Sequence, residues 1–116
     1  MHEFVFWLVK GKPRVCKSQA QFKSDIWRIL PDRENDHPAP FPFALADNCI
    51  ALSCPNGGNC LVCDPFTGSG TTAVAARSRG HRFVGFEISP AYAKMAEERL
   101  SRTVRVGGKV QGDLFE

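Results

Sequence analysis

The sequence predicts an α/β fold with a mostly parallel sheet, and two stretches of the chain carry this prediction. The first is an apolar run at 61–64, which is followed by a glycine-rich turn and an alanine-rich helical pattern at 71–78. The second is an apolar run at 83–87, which begins shortly after that helix. Two strands joined through a helix form a parallel pair, because the helix returns the chain to its starting edge of the sheet.

The bulk composition is typical of one small globular domain. The chain has 116 residues, of which 43% are hydrophobic and 23% are charged, enough for a single core. Its formal net charge of +3 suits a polyanionic partner without requiring one. No apolar run approaches the roughly 20 residues that cross a bilayer, and no secretion signal opens the chain. We therefore expect a single domain over 1–116, a cytoplasmic location and no membrane partner.

Five cysteines raise the alternatives of a metal site or of disulfides. Cys60 and Cys63 have the separation of a zinc knuckle. However, Cys63 lies inside an apolar strand and Cys49 inside an apolar helical pattern, where buried thiols behave as small hydrophobes. An odd number of cysteines in a chain without a secretion signal also disfavours a disulfide framework. We predict no metal ligands and expect Cys49 and Cys63 to be buried.

The first element is a predicted strand at 3–10, which is rich in aromatic and β-branched residues. Its apolar run from Phe4 to Val9 shows no clean alternation, as is usual for a strand covered on both faces. Such a strand needs sheet neighbours, and nothing before it supplies them. This is a first indication that the chain is the carboxyl-terminal portion of a larger fold.

A basic segment follows this strand, and it has two interpretations. Its cations outnumber the single acid Asp25 over the first part, and they are Lys10, Lys12, Arg14, Lys17, Lys23 and Arg28. The segment is either a solvated connector or a surface that contacts phosphates. Within it, residues 25–30 form a short extended candidate that ends at Pro31.

A proline-rich stretch at 37–42 precedes the first predicted helix. Its three prolines favour extended or turning backbone, and Pro42 is well placed in the first turn of a helix. Apolar residues then recur at helical spacing, with Phe43 and Ile50 widening a face made of Leu45, Ala46, Cys49 and Leu52. Turn-forming residues at 55–59 end this helix.

Two further helices are predicted in the second half of the chain. Gly80 ends the helix at 71–78. Ser89 is a good N-cap and Pro90 a good first residue for the last helix, which continues to Leu100 with Met95 and Ala96 on the same side as Leu100. The tail from 101 predicts at most one weak strand.

The glycine loop and the two strand-end acids predict a cofactor site. Gly68 and Gly70 let the backbone turn sharply and lie close to a ligand, and the first amides of the next helix point back at the loop. Gly68 to Ala73 fits a variant of the dinucleotide fingerprint, whereas a P-loop is excluded because no Gly-Lys-Ser/Thr follows the glycines. Pro65 and Phe66 would form an apolar wall instead of a pyrophosphate cradle. An acid at both strand ends suits a ligand with an amine and a ribose, such as S-adenosylmethionine.

The segment DPFTGSGTT at 64–72, preceded by HPAPFP and followed by the strand ending in Glu87, resembles the amino-group DNA methyltransferases. These enzymes methylate the exocyclic nitrogen of adenine or cytosine. The resemblance covers nearly the whole chain and is closest to the permuted subgroup, in which the cofactor motifs come last. It implies a partial Rossmann-like S-adenosylmethionine-dependent methyltransferase fold, mostly parallel, with a possible antiparallel N-terminal strand. It also implies double-stranded DNA as the partner.

The resemblance implies a role for each part of the cofactor site. One wall of the pocket would be formed by His37, Pro38, Ala39 and Phe41. The methionine part would be surrounded by Asp64, Phe66, Gly68, Gly70 and Thr71. Glu87 would accept the ribose hydroxyls, as its position about twenty residues after the glycine loop also predicts. Ile88 would pack near the adenine ring.

The catalytic Asp/Ser-Pro-Pro-aromatic segment of this family has no match in the chain. In the family it holds the amino group of a base flipped out of the duplex. The nearest stretch, 89–92, makes an ordinary capped helix start. We therefore predict a cofactor-binding part that binds S-adenosylmethionine weakly or not at all by itself and does not methylate DNA unaided, with no catalytic residue of its own. Its protein partner would be a separate N-terminal catalytic half or a second copy.

Other functions remain alternatives to this interpretation. The site could serve an RNA or small-molecule methyltransferase. The chain could instead be a non-catalytic DNA-binding or regulatory fragment that uses only its basic segment. A nicotinamide oxidoreductase is the least favoured.

Overall fold

Three helices and a two-stranded parallel sheet form the regular structure of the described residues. The computed structural model describes residues 3–12, 25–31, 41–54 and 59–103. In chain order the elements are α1 (Phe43–Ser53), β1 (Leu61–Asp64), α2 (Thr71–Ser78), β2 (Arg82–Gly85) and α3 (Pro90–Arg102). β1 and β2 pair in parallel, with Leu61 opposite Arg82 and Asp64 opposite Gly85. This arrangement confirms the predicted α/β class with parallel strands.

Helix α2 is the centre of the packing. It contacts α1, α3 and both strands, and its residues 73–76 are completely buried. Three of those four are alanines, so neighbouring elements approach the helix closely. Ala46 and Ile50 of α1 meet α2 in the main cluster, and Val62 and Phe83 of the sheet pack against it. One face of the sheet is therefore covered by helices.

The helix ends predicted from local sequence agree well with those in the structure. Helix α2 has the predicted bounds, and Gly80 follows it with a φ of 79°. Ser89 caps α3 by accepting a hydrogen bond from the backbone N–H of Tyr92 at 3.5 Å, and Pro90 begins the helix as predicted. The last helix runs two residues past Leu100. Strand β2 spans 82–85, where 83–87 was predicted.

The buried face of α1 agrees in part with the predicted one, since Ala46 and Ile50 belong to both. Ala46, Ile50 and Ala51 are buried, whereas Leu45 and Leu52 are only half-buried. The difference arises because α2 packs on the side of α1 that carries Ile50. Pro42 is the N-cap and not a residue of the first turn, and its carbonyl accepts a hydrogen bond from the backbone N–H of Leu45 at 3.0 Å.

The predicted strand at 3–10 is wrong for this structure. Its residues carry no regular secondary structure, and the side chains of Phe4, Phe6 and Leu8 are 84%, 82% and 90% exposed. Among the described residues no strand pairs with this stretch, so the possible antiparallel N-terminal strand is absent from that part of the chain. Its apolar composition suits a covered strand, but a strand forms only where a partner edge is supplied. Residues 25–30 also lack regular structure.

The expectation that Cys63 is buried is also wrong. Cys63 is exposed because it points away from the helices, on the sheet face that the described residues leave open. Cys49 is half-buried, and this burial raises the pKa of its thiol. Within the described ranges, His, Cys, Asp and Glu side chains nowhere gather in threes that could hold a metal ion.

Some predictions fall outside the described residues. These concern His37, Pro38 and Ala39, the middle of the basic segment, the turn at 55–58 and the tail after 103. The helices that the structure does describe include none with both the length and the apolar character to cross a membrane.

Candidate functional site

Two loops meet at the carboxyl-terminal edge of the sheet. The loop at 65–70 leaves β1 and the loop at 86–89 leaves β2. The backbone N–H of Phe86 donates to the carbonyl of Asp64 at 3.0 Å, and that of Thr67 donates to the carbonyl of Phe86 at 2.9 Å. The ladder of the two strands thus continues into the loops. This is the edge at which parallel α/β sheets bind ligands.

Glu87 links these two loops through its carboxylate. Its Oε2 accepts a hydrogen bond from the backbone N–H of Gly68 at 2.8 Å, and its Oε1 accepts one from the backbone N–H of Ser89 at 2.8 Å. Backbone amides are rigid donors, so the carboxylate has a fixed orientation. The carboxylate of Glu87 therefore ties the two loops together at the strand tips.

Asp64 shapes the glycine loop from its other end. Its Oδ1 accepts a hydrogen bond from the backbone N–H of Phe66 at 2.9 Å, a local turn that aspartate commonly makes. Its carbonyl accepts a hydrogen bond from the hydroxyl of Thr67 at 3.2 Å. As a result the ring of Phe66 stands outside the loop and is 86% exposed.

The two glycines of the loop have different surroundings. Gly68 is half-buried with a φ of 55° and donates its N–H to Glu87. Gly70 is buried with a φ of 89°, and a Cβ there would lie 2.8 Å from the Cβ of Ala96. The missing side chain of Gly70 therefore lets α3 approach the loop, a packing use that the sequence prediction did not include.

Gly85 has a packing role beside the loop that the sequence prediction missed. A Cβ at Gly85 would collide with the hydroxyl of Thr67 and would lie 2.7 Å from the ring of Phe83. The bare backbone of β2 thus leaves the room in which Thr67 turns toward Asp64. A glycine inside a strand often marks such a close approach, so the signal was present in the sequence.

Exposed apolar side chains lie beside the acids. Ile88 follows Glu87 and is 98% exposed, while Phe66 lies in the neighbouring loop. Both side chains are therefore accessible from solvent at this edge. Phe41, just before α1, is 39% exposed.

Arg99 of α3 is a second residue that the prediction missed. Its Nη1 donates to the carbonyl of Ser69 at 2.8 Å, to the hydroxyl of Ser69 at 3.0 Å and to the hydroxyl of Thr71 at 3.3 Å. Ser69 and Thr71 are both buried, and they flank Gly70. An arginine in a helix thirty residues away carries no local signal that could have revealed this contact.

The structure brings most of the predicted site residues to one edge of the sheet. Seven lie in the loops or at the start of α2, and they are Asp64, Phe66, Gly68, Gly70, Thr71, Glu87 and Ile88. Of the basic segment, Lys10, Lys12 and Arg28 are described and exposed.

A family profile described as DNA methylase matches residues 1–98. This match covers most of the chain. The chain therefore belongs to the amino-group DNA methylase family, whose members act on adenine or cytosine.

Individual relatives agree with this assignment. The type II methyltransferase M.SmaI of Serratia marcescens is 33% identical over 117 residues, covering 87% of this chain and 38% of that protein. The structure of the PvuII DNA methyltransferase, which is cytosine-N4-specific, matches with a TM-score of 0.62 and 25% identity over 74% of this chain and 34% of that one. The M1.HpyAVI–SAM complex matches with a TM-score of 0.55 and 30% identity, covering 67% of this chain and 41% of that one.

These matches also show how much of each relative's length this chain covers. It spans 38% of the length of M.SmaI, and comparable fractions of the two solved methyltransferases. The family-profile match, at residues 1–98, contains the two-loop edge described above. The fold is accordingly that of part of an S-adenosylmethionine-dependent methyltransferase.

Proposed function

We propose that this chain is the S-adenosylmethionine-binding part of a DNA methyltransferase that acts on the amino group of adenine or cytosine. The observation that carries the proposal is the fixed carboxylate of Glu87, held at a strand tip by one amide from each of two loops. The chain's membership of the DNA methylase family supplies the reaction class.

The residues at this edge fit the chemical parts of S-adenosylmethionine. The carboxylate of Glu87 would accept hydrogen bonds from the two ribose hydroxyls. Ile88 offers exposed apolar surface beside it, which suits an adenine ring. Asp64, Phe66, Gly68, Gly70 and Thr71 would surround the methionine part, where Asp64 offers a negative charge to the amine. When bound, the cofactor supplies an electrophilic methyl group, and the residues here hold and orient it.

The second face of the sheet indicates that further polypeptide completes the enzyme. Leu61 is 57% exposed, Val84 38% and Phe86 60%, and with Cys63 they line the face opposite the helices. Parallel sheets are normally covered on both faces. Since the chain spans 38% of M.SmaI, we infer that the remainder of the methyltransferase fold, which carries the catalytic segment, covers this face.

The experiment that tests the cofactor class is a titration followed at backbone amides by NMR. We expect S-adenosylhomocysteine to bind weakly and to shift the amides of residues 66–70 and 87–89. NAD at equal concentration should not shift the resonances of the same amides, because the loop offers no pyrophosphate cradle. Equal shifts with NAD, or S-adenosylhomocysteine shifts confined to other residues, would refute the proposed cofactor.

A further inference from the structure

We propose that Arg99 is a positioning residue for the glycine loop at 65–70. Arg99 holds the buried end of this loop next to α2, while Glu87 holds the loop at Gly68. This inference rests on the proposed function for its consequence, but its structural content can be tested without a ligand. Arg99 lies on α3, outside both the glycine loop and the strand ends.

The contacts of Arg99 are concentrated on two residues, Ser69 and Thr71, which lie on either side of Gly70. One guanidinium nitrogen, Nη1, reaches the carbonyl and hydroxyl of Ser69 and the hydroxyl of Thr71 within 2.8–3.3 Å. Ser69 and Thr71 are each only 6% exposed, so water has little access to these oxygens. Buried polar atoms need hydrogen-bond partners, and a charged donor makes the stronger bond.

The rest of α3 reinforces this contact. Ala96 is one helical turn before Arg99 and lies against Gly70, where even a Cβ would not fit. Residues three apart occupy the same face of a helix. The face of α3 that carries Ala96 and Arg99 is therefore fitted against residues 69–71, with an apolar contact in the centre and a charged donor beside it.

Two side chains from different parts of the fold thus hold the loop. Glu87, after β2, accepts the N–H of Gly68, and Arg99, from α3, donates to the residues on both sides of Gly70. A loop held at both ends presents its amides in one arrangement, and pre-organisation of this kind favours ligand binding. Loss of the Arg99 side chain should loosen residues 69–71. The hydrogen bond from the Gly68 N–H to Glu87 should remain.

Hydrogen exchange in the unliganded chain tests this directly. We expect Arg99→Met, which keeps an unbranched apolar stem and removes the guanidinium donors, to raise the exchange rate of the Gly70 amide by about tenfold or more. The amides of His81 and Arg82, which bond to Ala76 and Cys60, serve as internal references and should be unaffected. Arg99→Lys retains a charged donor and should restore part of the protection.

A matched control separates the contact from a general loss of stability. Arg102→Met changes an exposed arginine one turn further along α3 and should leave all of these rates unchanged. Two results would overturn the proposal: exchange at Gly70 equal to that of the unchanged chain in Arg99→Met, or an equal rise at Gly70, His81 and Arg82. A lack of any rescue by lysine would also count against it.

The consequence for binding is tested separately with S-adenosylhomocysteine. If the unchanged chain binds it, Arg99→Met should weaken the affinity about tenfold and Arg99→Lys less. Loss of loop protection together with unchanged affinity would overturn the role in positioning. If the unchanged chain does not bind it, the weak binding expected under the proposed function is refuted, whereas the exchange result for Arg99 stands on its own.

Discussion

At the residue scale, Gly70 shows how a single missing side chain lets α3 pack against the glycine loop at 65–70. Its φ of 89° is in the left-handed region, and the space beyond its Cα is occupied by Ala96. A side chain there would meet two separate penalties, backbone strain and a clash between α3 and the loop. Both penalties fall on the element that carries the candidate site.

We therefore expect Gly70→Ala to lower the free energy of unfolding by about 2–4 kcal/mol, the sum of left-handed strain and overpacking. Gly11 provides a matched control, because its φ of 84° is similar but nothing lies within 4 Å of its Cβ position. Gly11→Ala should cost less than about 1 kcal/mol, since the exposed segment can relax. Urea denaturation measures both changes.

The clash itself can be tested by relieving it. Ala96→Gly in the Gly70→Ala background should recover part of the lost stability, because it removes the facing Cβ. A loss at Gly70 no larger than that at Gly11, or no recovery in the double variant, would show that the contact with Ala96 is unimportant.

At the scale of elements, local signals in the sequence were sufficient for helices and their ends, but not for burial by distant partners. Ser89, Pro90 and Gly80 act within one turn of their own positions, and the structure confirms the ends that they predict. The strand at 3–10 and the burial of Cys63 depended on what lies across the sheet, and both predictions are wrong. Arg99 was missed for the same reason, because its partners lie about thirty residues away in sequence. Gly85 did carry a local signal, a glycine inside a strand, and the prediction did not use it.

Cys63 and Cys49 should differ in their reactivity toward iodoacetamide. Cys63 lies on the open sheet face, while Cys49 is half-buried and burial raises the pKa of its thiol. Because the thiolate is the reactive form, a raised pKa leaves less of it at a given pH. We expect iodoacetamide to modify Cys63 well before Cys49 at pH about 8, and the rate at Cys49 to keep rising at higher pH. Peptide mass spectrometry over time measures both rates, and equal rates in the folded chain would contradict the described placement.

At the scale of the whole molecule, the described residues form two distinct surfaces. One is the carboxyl-terminal edge of the sheet, where the two loops meet, and the other is a sheet face that these residues leave uncovered. The helices cover one face of the sheet through Val62 and Phe83, and the other face carries exposed apolar side chains. This chain covers 38% of M.SmaI, 34% of the PvuII methyltransferase and 41% of the M1.HpyAVI chain. We infer that cofactor binding and base methylation are divided between this chain and further polypeptide.

We therefore expect the purified chain to transfer no radiolabelled methyl group from S-adenosylmethionine to duplex DNA. The reason is that it carries no Asp/Ser-Pro-Pro-aromatic segment to hold a target base. Complete M.SmaI under the same conditions serves as the positive control. Incorporation by the chain alone, above that of a heat-denatured sample, would refute this division of the enzyme.

The measurement that tests the central claim most directly compares two ligands on two proteins. S-adenosylhomocysteine and its analogue lacking both ribose hydroxyls are titrated into the unchanged chain and into Glu87→Gln. If the carboxylate of Glu87 binds the ribose, the unchanged chain prefers the natural ligand by about tenfold or more, and Glu87→Gln loses most of that preference. Equal affinity of the unchanged chain for both ligands, or a preference that survives in Glu87→Gln, would contradict the assignment of this edge as the cofactor site.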